Sequence, residues 1–474
     1  MARPSLLAGS SIAAAVLLAG CALAPAYERP AAPVAPQWPL DAATAPGAGT
    51  PATALPWADF FTDARQRALI TLALEHNRDL RIATLNVEQA RALAGVQRAD
   101  RLPGLGAGIT VDRGSAGSLY SVGLAMPSFE LDLFGRVRSL SEAAQARYFA
   151  SDEGRRAAQV ALIAAVAGAD LALRADDELL QLTQRTLAAR EEQLRLVRVR
   201  LDAGAAAEPE LRAVESLVAA ARASLAALQR QRAQDLNALV LLLGRPLPAD
   251  LPAAAPLAAL SLAALPAGVP STVLLERPDV RQAEQALVAA NANIGAARAA
   301  FFPRIALTAS LGTASTELSG LFSTTAWSFT GQLLQPLFDA GRNQAHLEAS
   351  EAARAIAVAQ YERTIQVAFR EVADALAGRA TLSEQLAAQR AQAEAEARRA
   401  ELAEALLRGG VASQLERLDA ERSLLAARQA ELQLLLAEKL NAVLVYRVLG
   451  GGAGPARADA QAAGAAASGA TLSR

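Results

Sequence analysis

The sequence is poor in the residues that do chemistry. Among its 474 residues are two histidines, His76 and His346, one cysteine, Cys21, and one lysine, Lys439, and aromatics make up only 4%. No metal-ligand spacing and no glycine-rich phosphate loop is present, and the single cysteine is accounted for by the lipidation motif described below, so it is not available as a nucleophile. An enzyme is therefore not expected, nor a cofactor. Both histidines lie in helical stretches among Arg and Glu and read as surface residues. Arginine supplies almost all the positive charge, but the net charge is −1 and no basic patch is interleaved with aromatics. Nucleic acid is not an expected partner. A single cysteine also excludes an internal disulfide, so an exported chain of this size must be held by packing.

What is present begins with an export signal. Arg3 precedes an apolar stretch, Leu6 to Leu18, too short to remain as a membrane span, and small residues follow. The stretch ends in Leu18-Ala19-Gly20-Cys21, which resembles the bacterial lipobox, where the cysteine becomes the acylated first residue of the mature protein. Cys21 is thus the candidate lipidation site, its covalent lipid the one non-protein group expected; the other reading is an unpaired thiol. Ala22 follows it, and not the Asp associated with inner-membrane retention, so outer-membrane lipid is the implied surroundings.

The rest of the chain reads as two copies of one unit. Asn77-Arg78-Asp79-Leu80 returns as Arg277-Pro278-Asp279-Val280, Arg101-Leu102-Pro103 as Phe301-Phe302-Pro303, and Phe134-Gly135-Arg136 as Ala340-Gly341-Arg342. Further on, Ala203-Gly204 answers Gly409-Gly410, and Leu236-Asn237-Ala238-Leu239 answers Leu440-Asn441-Ala442-Val443. The division that follows is a signal peptide at 1–20, a lipidated extended tether at 21–56, repeat 1 at 57–243, a proline-rich equatorial linker at 244–272, repeat 2 at 273–449, and a flexible Gly/Ala-rich tail at 450–474. Each copy has the order helix, two short alternating segments, two long helices.

The long helices come from proline-free runs. A helix from Arg136 to Ala203 would be about 100 Å long at 1.5 Å per residue. Leu173, Leu180, Leu187, Leu194 and Leu201 give it a seven-residue leucine stripe, and Leu418, Leu425 and Leu432 repeat the spacing, as coiled-coil packing requires. The segment 387–405 is Ala-rich and suits close helix approach. The turns are punctuated too: Gly409-Gly410 suits a helix C-cap, Ser413 with Glu416 forms a capping box, and Pro209 fits the first position of a helix.

The alternating segments are expected as strands at about 105–113, 119–133, 305–313 and 326–337. Leu105, Ala107, Ile109 and Val111 alternate with small or polar residues, as do Tyr120, Val122, Leu124 and Met126; Ile305, Leu307, Ala309 and Leu311; and Trp327, Phe329, Gly331 and Leu333. Segments of about ten residues with this pattern are the mark of membrane β-strands. Two ordinary hairpins packed on helices would show the same alternation. Four strands cannot close a barrel and open edges are not tolerated in lipid, so the membrane reading calls for an oligomer, and a trimer gives twelve strands.

These blocks together resemble the outer-membrane factor family, of TolC/OprM type, in its lipoprotein branch with OprM and NodT-like proteins. The resemblance rests on residues 21–30, on Trp57-Ala58-Asp59-Phe60-Phe61, on Phe129 to Arg136, on Glu276 to Arg281 and on Gln335 to Arg342. It implies a mainly α fold with a small membrane β-barrel contribution: two internal repeats, coiled-coil helices forming an α-barrel, and four transmembrane strands per chain in a homotrimeric twelve-stranded barrel. It further implies an exit duct working with a periplasmic adaptor (membrane fusion protein) and an inner-membrane RND transporter. The adaptor-docking tips would then include Gly204 and Pro209 in one copy and Gly410 and Ser413 in the other, although the first tip has Ala207 and Pro209 where the family usually has Ser and Leu. Leu415 and Asp419 match the Leu and Asp that constrict the closed tunnel at its periplasmic gate. The alternative is a lipid-anchored periplasmic coiled-coil adaptor or scaffold, which shares the anchor and the long helices but has no use for two copies or four membrane-length strands.

Overall fold

The computed structural model describes residues 23–39, 55–115, 117–263, 265 and 274–452. The signal at 1–20, Cys21, most of the tail and residues 266–273 of the linker lie outside the described residues. About 68% of the structure is helix, and it carries one small antiparallel sheet.

In chain order the elements are α1 (Trp57–Phe60), α2 (Ala64–His76), α3 (Arg78–Ala99), β1 (Gly106–Gly114), β2 (Gly117–Glu130), α4 (Arg136–Asp202), α5 (Glu208–Leu243), α6 (Pro278–Ala299), β3 (Arg304–Ser315), β4 (Thr325–Leu334), α7 (Arg342–Arg408) and α8 (Gln414–Val448). The order from α3 to α5 returns from α6 to α8 with nearly the same lengths. Both short helices have 22 residues and both long ones 67, and the closing helices have 36 and 35. The chain divides into two compact units. The first takes the chain up to Pro33 with Ala83–Arg155 and Asp279–Ile365; the second takes Val34–Ile82, Arg156–Pro278 and the chain from Gln366 on.

The second unit holds most of the long-helix packing. Along α4, Leu173 and Leu180 are buried, whereas Leu187, Leu194 and Leu201 are only partly covered. Near the α4–α5 turn, Val197, Val214 and Leu418 form a buried cluster with Leu194, Leu211 and Leu217 around it, so α8 packs against the α4–α5 hairpin there. The motifs at 77 and 277 prove to be anchors for helix starts. Asn77 accepts from the Leu80 N–H as the cap of α3 and donates to the Leu242 carbonyl at the end of α5 (2.8 Å). Arg277, just before α6, donates to the Val448 carbonyl at the end of α8 (3.0 Å) and to Glu371 (2.8 Å). The two halves solve the same closure problem with different side chains.

The proline-rich linker is held by charge. Arg174 and Asp170 on α4 are almost wholly buried and paired (2.8 Å); Arg174 also binds Asp63 (2.8 Å) and the Ala255 carbonyl (2.9 Å). Arg65 bridges Asp170 (3.1 Å) and the Pro252 carbonyl (3.1 Å), and Glu178 accepts the Leu257 N–H (2.8 Å). Burial alone would raise the Asp63 carboxyl, but hydrogen bonds from Arg174 and the Gln66 N–H outweigh it and hold Asp63 below its ordinary value. Such a network satisfies backbone carbonyls that a proline-rich segment cannot pair within itself.

In the first unit the strands lie in the order β1-β2-β3-β4, all antiparallel. Pro127 sits inside the central strand β2, and the ladder with β3 shifts register between Met126 and Phe129 at that point. A proline has no N–H for the ladder, so a bulge is the form in which a central strand accepts it. The second and fourth strands end earlier than the sequence suggests, at Glu130 and Leu334. The sheet joins α4 through Glu130, which accepts two bonds from Arg136 (2.8 and 2.7 Å) and one from Arg304 (2.7 Å). Residues 23–29 lie along α6: Glu284 accepts from Tyr27 and Arg29, Asn291 donates to the Pro25 carbonyl, and Arg298 reaches the Leu23 carbonyl. These three helix positions are seven residues apart and so share one face. That stretch of the expected tether is docked along its length.

Candidate functional site: sheet faces and hairpin tips

Strand register decides which side chains share a face. Leu124 stands opposite Leu311, and Leu311 opposite Trp327; Met126, Ala309 and Phe329 form the next row, and Ile109 meets Val122. With a period of two, this face also carries Val111, Tyr120, Leu307, Ile305 and Leu333. Trp327, Phe329, Leu333, Leu311, Leu124 and Ile109 are all largely exposed. The opposite face carries Thr110, Asp112, Ser121, Gly123, Thr308, Ser310, Ser328, Thr330 and Gln332, and Ser310 and Ser328 hydrogen-bond across it (2.7 Å). Gly123 faces Gly312 across β2 and β3. A methyl group on Gly123 would collide with the Leu311 carbonyl, and one on Gly312 with the Val122 carbonyl, so this close backbone approach needs glycine on both strands. The sheet is thus a single layer with one oily and one polar face, and β1 and β4 end it with edges unpaired among the described residues.

The tips lie in the second unit. After α4, Gly204 takes φ +72° and turns the chain, and after α7, Gly410 takes φ +74°. A left-handed conformation at these two places is why glycine stands there. Ser413 caps α8: its hydroxyl accepts the Glu416 N–H, and the Glu416 carboxylate accepts the Ser413 N–H, a complete capping box. The first tip differs from the sequence expectation by one position. Helix α5 starts at Glu208 with Ala207 as its cap, so Pro209 is the second helical residue and not the first. Its missing N–H is still one of the first four, which have no partner inside a helix.

Leu415 and Asp419 lie one turn apart on α8, and Leu415 is 72% exposed. Asp419 is ion-paired to Arg399 on α7 (2.6 Å) and to Arg422 (2.6 Å). The Arg399 hydrogen bond, with the Arg422 charge beside it, holds its carboxyl below the ordinary value. Sequence reasoning named Asp419 without naming Arg399. A signal was available: residues 399 and 419 are equidistant from Gly409, so a hairpin folded there brings them level. Cys21 lies outside the described residues.

Known proteins with this arrangement are transport components. A family model described as outer membrane efflux protein matches residues 69–245 and again 269–451. The solvent efflux pump outer membrane protein SrpC of Pseudomonas putida is 46% identical over 457 residues, 93% of this chain and 97% of that one. Outer membrane protein OprJ of Pseudomonas aeruginosa is 45% identical over 458 residues, covering 94% of this chain and 95% of that one. Among solved structures, the open state of the Neisseria gonorrhoeae MtrE outer membrane channel matches with a TM-score of 0.85 at 42% identity, over 91% of this chain and 98% of that one. A structure of CusC in its transmembrane channel formation matches with a TM-score of 0.81 at 40% identity, over 91% of this chain and 100% of that one. The chain therefore belongs to the outer membrane efflux protein family, whose members are transport components of the outer membrane and not enzymes.

Proposed function

We propose that the chain is the exit duct of a tripartite RND-type efflux system. In this reading three copies pool their sheets into a twelve-stranded membrane barrel, and the two helical hairpins of each copy wall a periplasmic tunnel. The observation that carries the reading is the sheet, exposed and apolar on one face, polar on the other, and unpaired at both edges. Lipid satisfies the apolar face, but it cannot hydrogen-bond an open edge, so β1 of one copy must pair with β4 of the next. The repeated element lengths and the family model's two matches support a duplicated unit. A scaffold lipoprotein would leave this sheet without a use. The relatives' names cite solvents, toluene and antibiotics, which suits a duct whose cargo is selected elsewhere, by the inner-membrane transporter.

The test is heat-modifiable migration of an outer-membrane trimer on gels, with Cys21→Ser beside the wild type. The variant is expected to lose labelling by palmitate yet keep part of its heat-sensitive trimer in the membrane, because the barrel itself holds the chain there. Release of all of Cys21→Ser into the soluble fraction would show the barrel assignment to be wrong.

The tips around Gly204, Pro209, Gly410 and Ser413 are read as the adaptor's docking surface, and Leu415 with Asp419 as the gate. Three Asp419 carboxylates around a narrow axis would repel one another. The Arg399 and Arg422 pairs lower that repulsion within each copy, and an adaptor could open the end by competing for the tip. Asp419→Ala should change the resting conductance and cation preference of the channel in planar bilayers without changing trimer yield, and adding Leu415→Ala should raise conductance further. A double mutant with wild-type conductance and selectivity would remove both residues from the gate.

A further inference from the structure

The two helices of the first hairpin are tied by charge at four levels. Arg200 pairs with Glu210, Arg198 with Glu215, Arg222 with Glu191, and Arg232 with Asp177. Each of these joins opposite signs across the hairpin. One level breaks the pattern: beside the Arg232–Asp177 pair, which sets the register of the two helices, Asp176 on α4 meets Asp235 on α5, two carboxyls where the other levels join opposite signs. Asp176 is only 7% exposed, and its Oδ2 is buried without a hydrogen-bond partner.

The neighbours do not relieve the clash. Arg232 lies beside Asp176, but its Nε is committed to Asp177, which adds a further negative charge. Glu178 is turned to the Leu257 N–H, and Arg174 to Asp170 and Asp63. Gln231 donates to both oxygens of Asp235 (3.1 Å each). The more deeply buried Asp176 is the better place for a proton.

We propose that Asp176 and Asp235 form a proton-held latch between the two helices of the first hairpin. With one shared proton the carboxyls bind each other and join the helices at this level. With both ionised, the two carboxylates repel across the poorly solvated side of Asp176 and the helices part locally. The hairpin would be firm in acid and loose in alkali at this one level, while the Arg–carboxylate levels nearer the tip would not respond.

The direction follows from linkage. Burial first, and then Asp235, push the Asp176 carboxyl up to about 7 from an ordinary 3.8. The folded state therefore keeps a proton that the opened state gives up, and the latch loses strength as pH rises through that window and levels off above it.

The test is hydrogen exchange of the purified full-length protein at pH 5.5 and pH 8.5, corrected for the intrinsic rates of the two conditions. Peptides covering 172–180 and 231–239 should open about tenfold or more readily at pH 8.5, since each unit of pKa difference between the states is worth a factor of ten. Peptides around the Arg198–Glu215 pair should not change. In Asp176→Asn, whose amide donates to Asp235 at every pH, the difference should vanish, and Asp235→Asn should behave likewise if the first variant folds poorly. Equal corrected exchange in the wild type at the two pH values, or a pH response kept in an Asn variant, would overturn the latch.

Discussion

Phe329→Arg is expected to abolish the heat-modifiable trimer, while Ser328→Arg, one residue away, assembles. Register puts Phe329 beside Ala309 and Met126 on the apolar face, and Ser328 beside Ser310 on the polar one. An arginine near the middle of the bilayer costs roughly 2 to 4 kcal/mol on the lipid face of such barrels, and a homotrimer carries the change in every copy. On the polar face the guanidinium would stay in water, inside the barrel proposed above, so only the Ser310–Ser328 hydrogen bond is lost. Gel migration and protease resistance of outer-membrane fractions measure the difference. If the two variants assemble equally well, the sheet does not separate lipid from water in the way its faces suggest.

The second large effect is expected at Arg174. Arg174→Met removes the cation from Asp170 and Asp63 and leaves the Ala255 carbonyl without its donor, while filling similar volume. Breaking one partner out of a buried ion pair costs roughly 3 to 5 kcal/mol, because the charge left behind stays desolvated. The cost here should fall toward the lower end, since Arg65 still reaches Asp170. Thermal unfolding should move down by several degrees, and proteolysis should begin in the 245–263 linker. Adding Asp170→Asn should restore part of the loss, because it removes the orphaned charge. Acid should act on the same network. The Asp63 carboxyl is held below its ordinary value, so its share of stability is present above about pH 4 and is lost as pH falls through the folded value. An Arg174→Met protein as stable and as protease-resistant as the wild type would show that the linker is held by other contacts.

Much of the architecture was legible because it is written in local patterns. Strand alternation at 305–311 and 327–333 needs only a period of two, and the capping box at Ser413 needs only residues three apart. Helix α4 was readable from a run free of proline and glycine turns. Its leucine stripe was read correctly as a packing face, but it did not say that coverage would fade from Leu173 to Leu201. That depends on which neighbours arrive. Pro209 was placed one residue off because helix starts are set by the cap geometry of Ala207, which leaves no sequence mark.

The sequence by itself determined the long helix after Arg136, the four strands and the turns at Gly204 and Gly410, because each is written in a local pattern of proline, glycine or alternating residues. Tertiary structure alone decided the pairings. Arg399 reaches Asp419 because the hairpin folds at Gly409, Arg174 collects Asp63 and Ala255 from two separate segments, and Pro127 is absorbed by a bulge against a strand whose Thr308 lies 181 residues away. Asp176 and Asp235 are unremarkable acids on two helices until the hairpin closes, buries Asp176 and sets the half-buried Asp235 beside it. Charge and burial are properties of neighbourhoods, and those neighbourhoods exist only once distant parts of the chain have met.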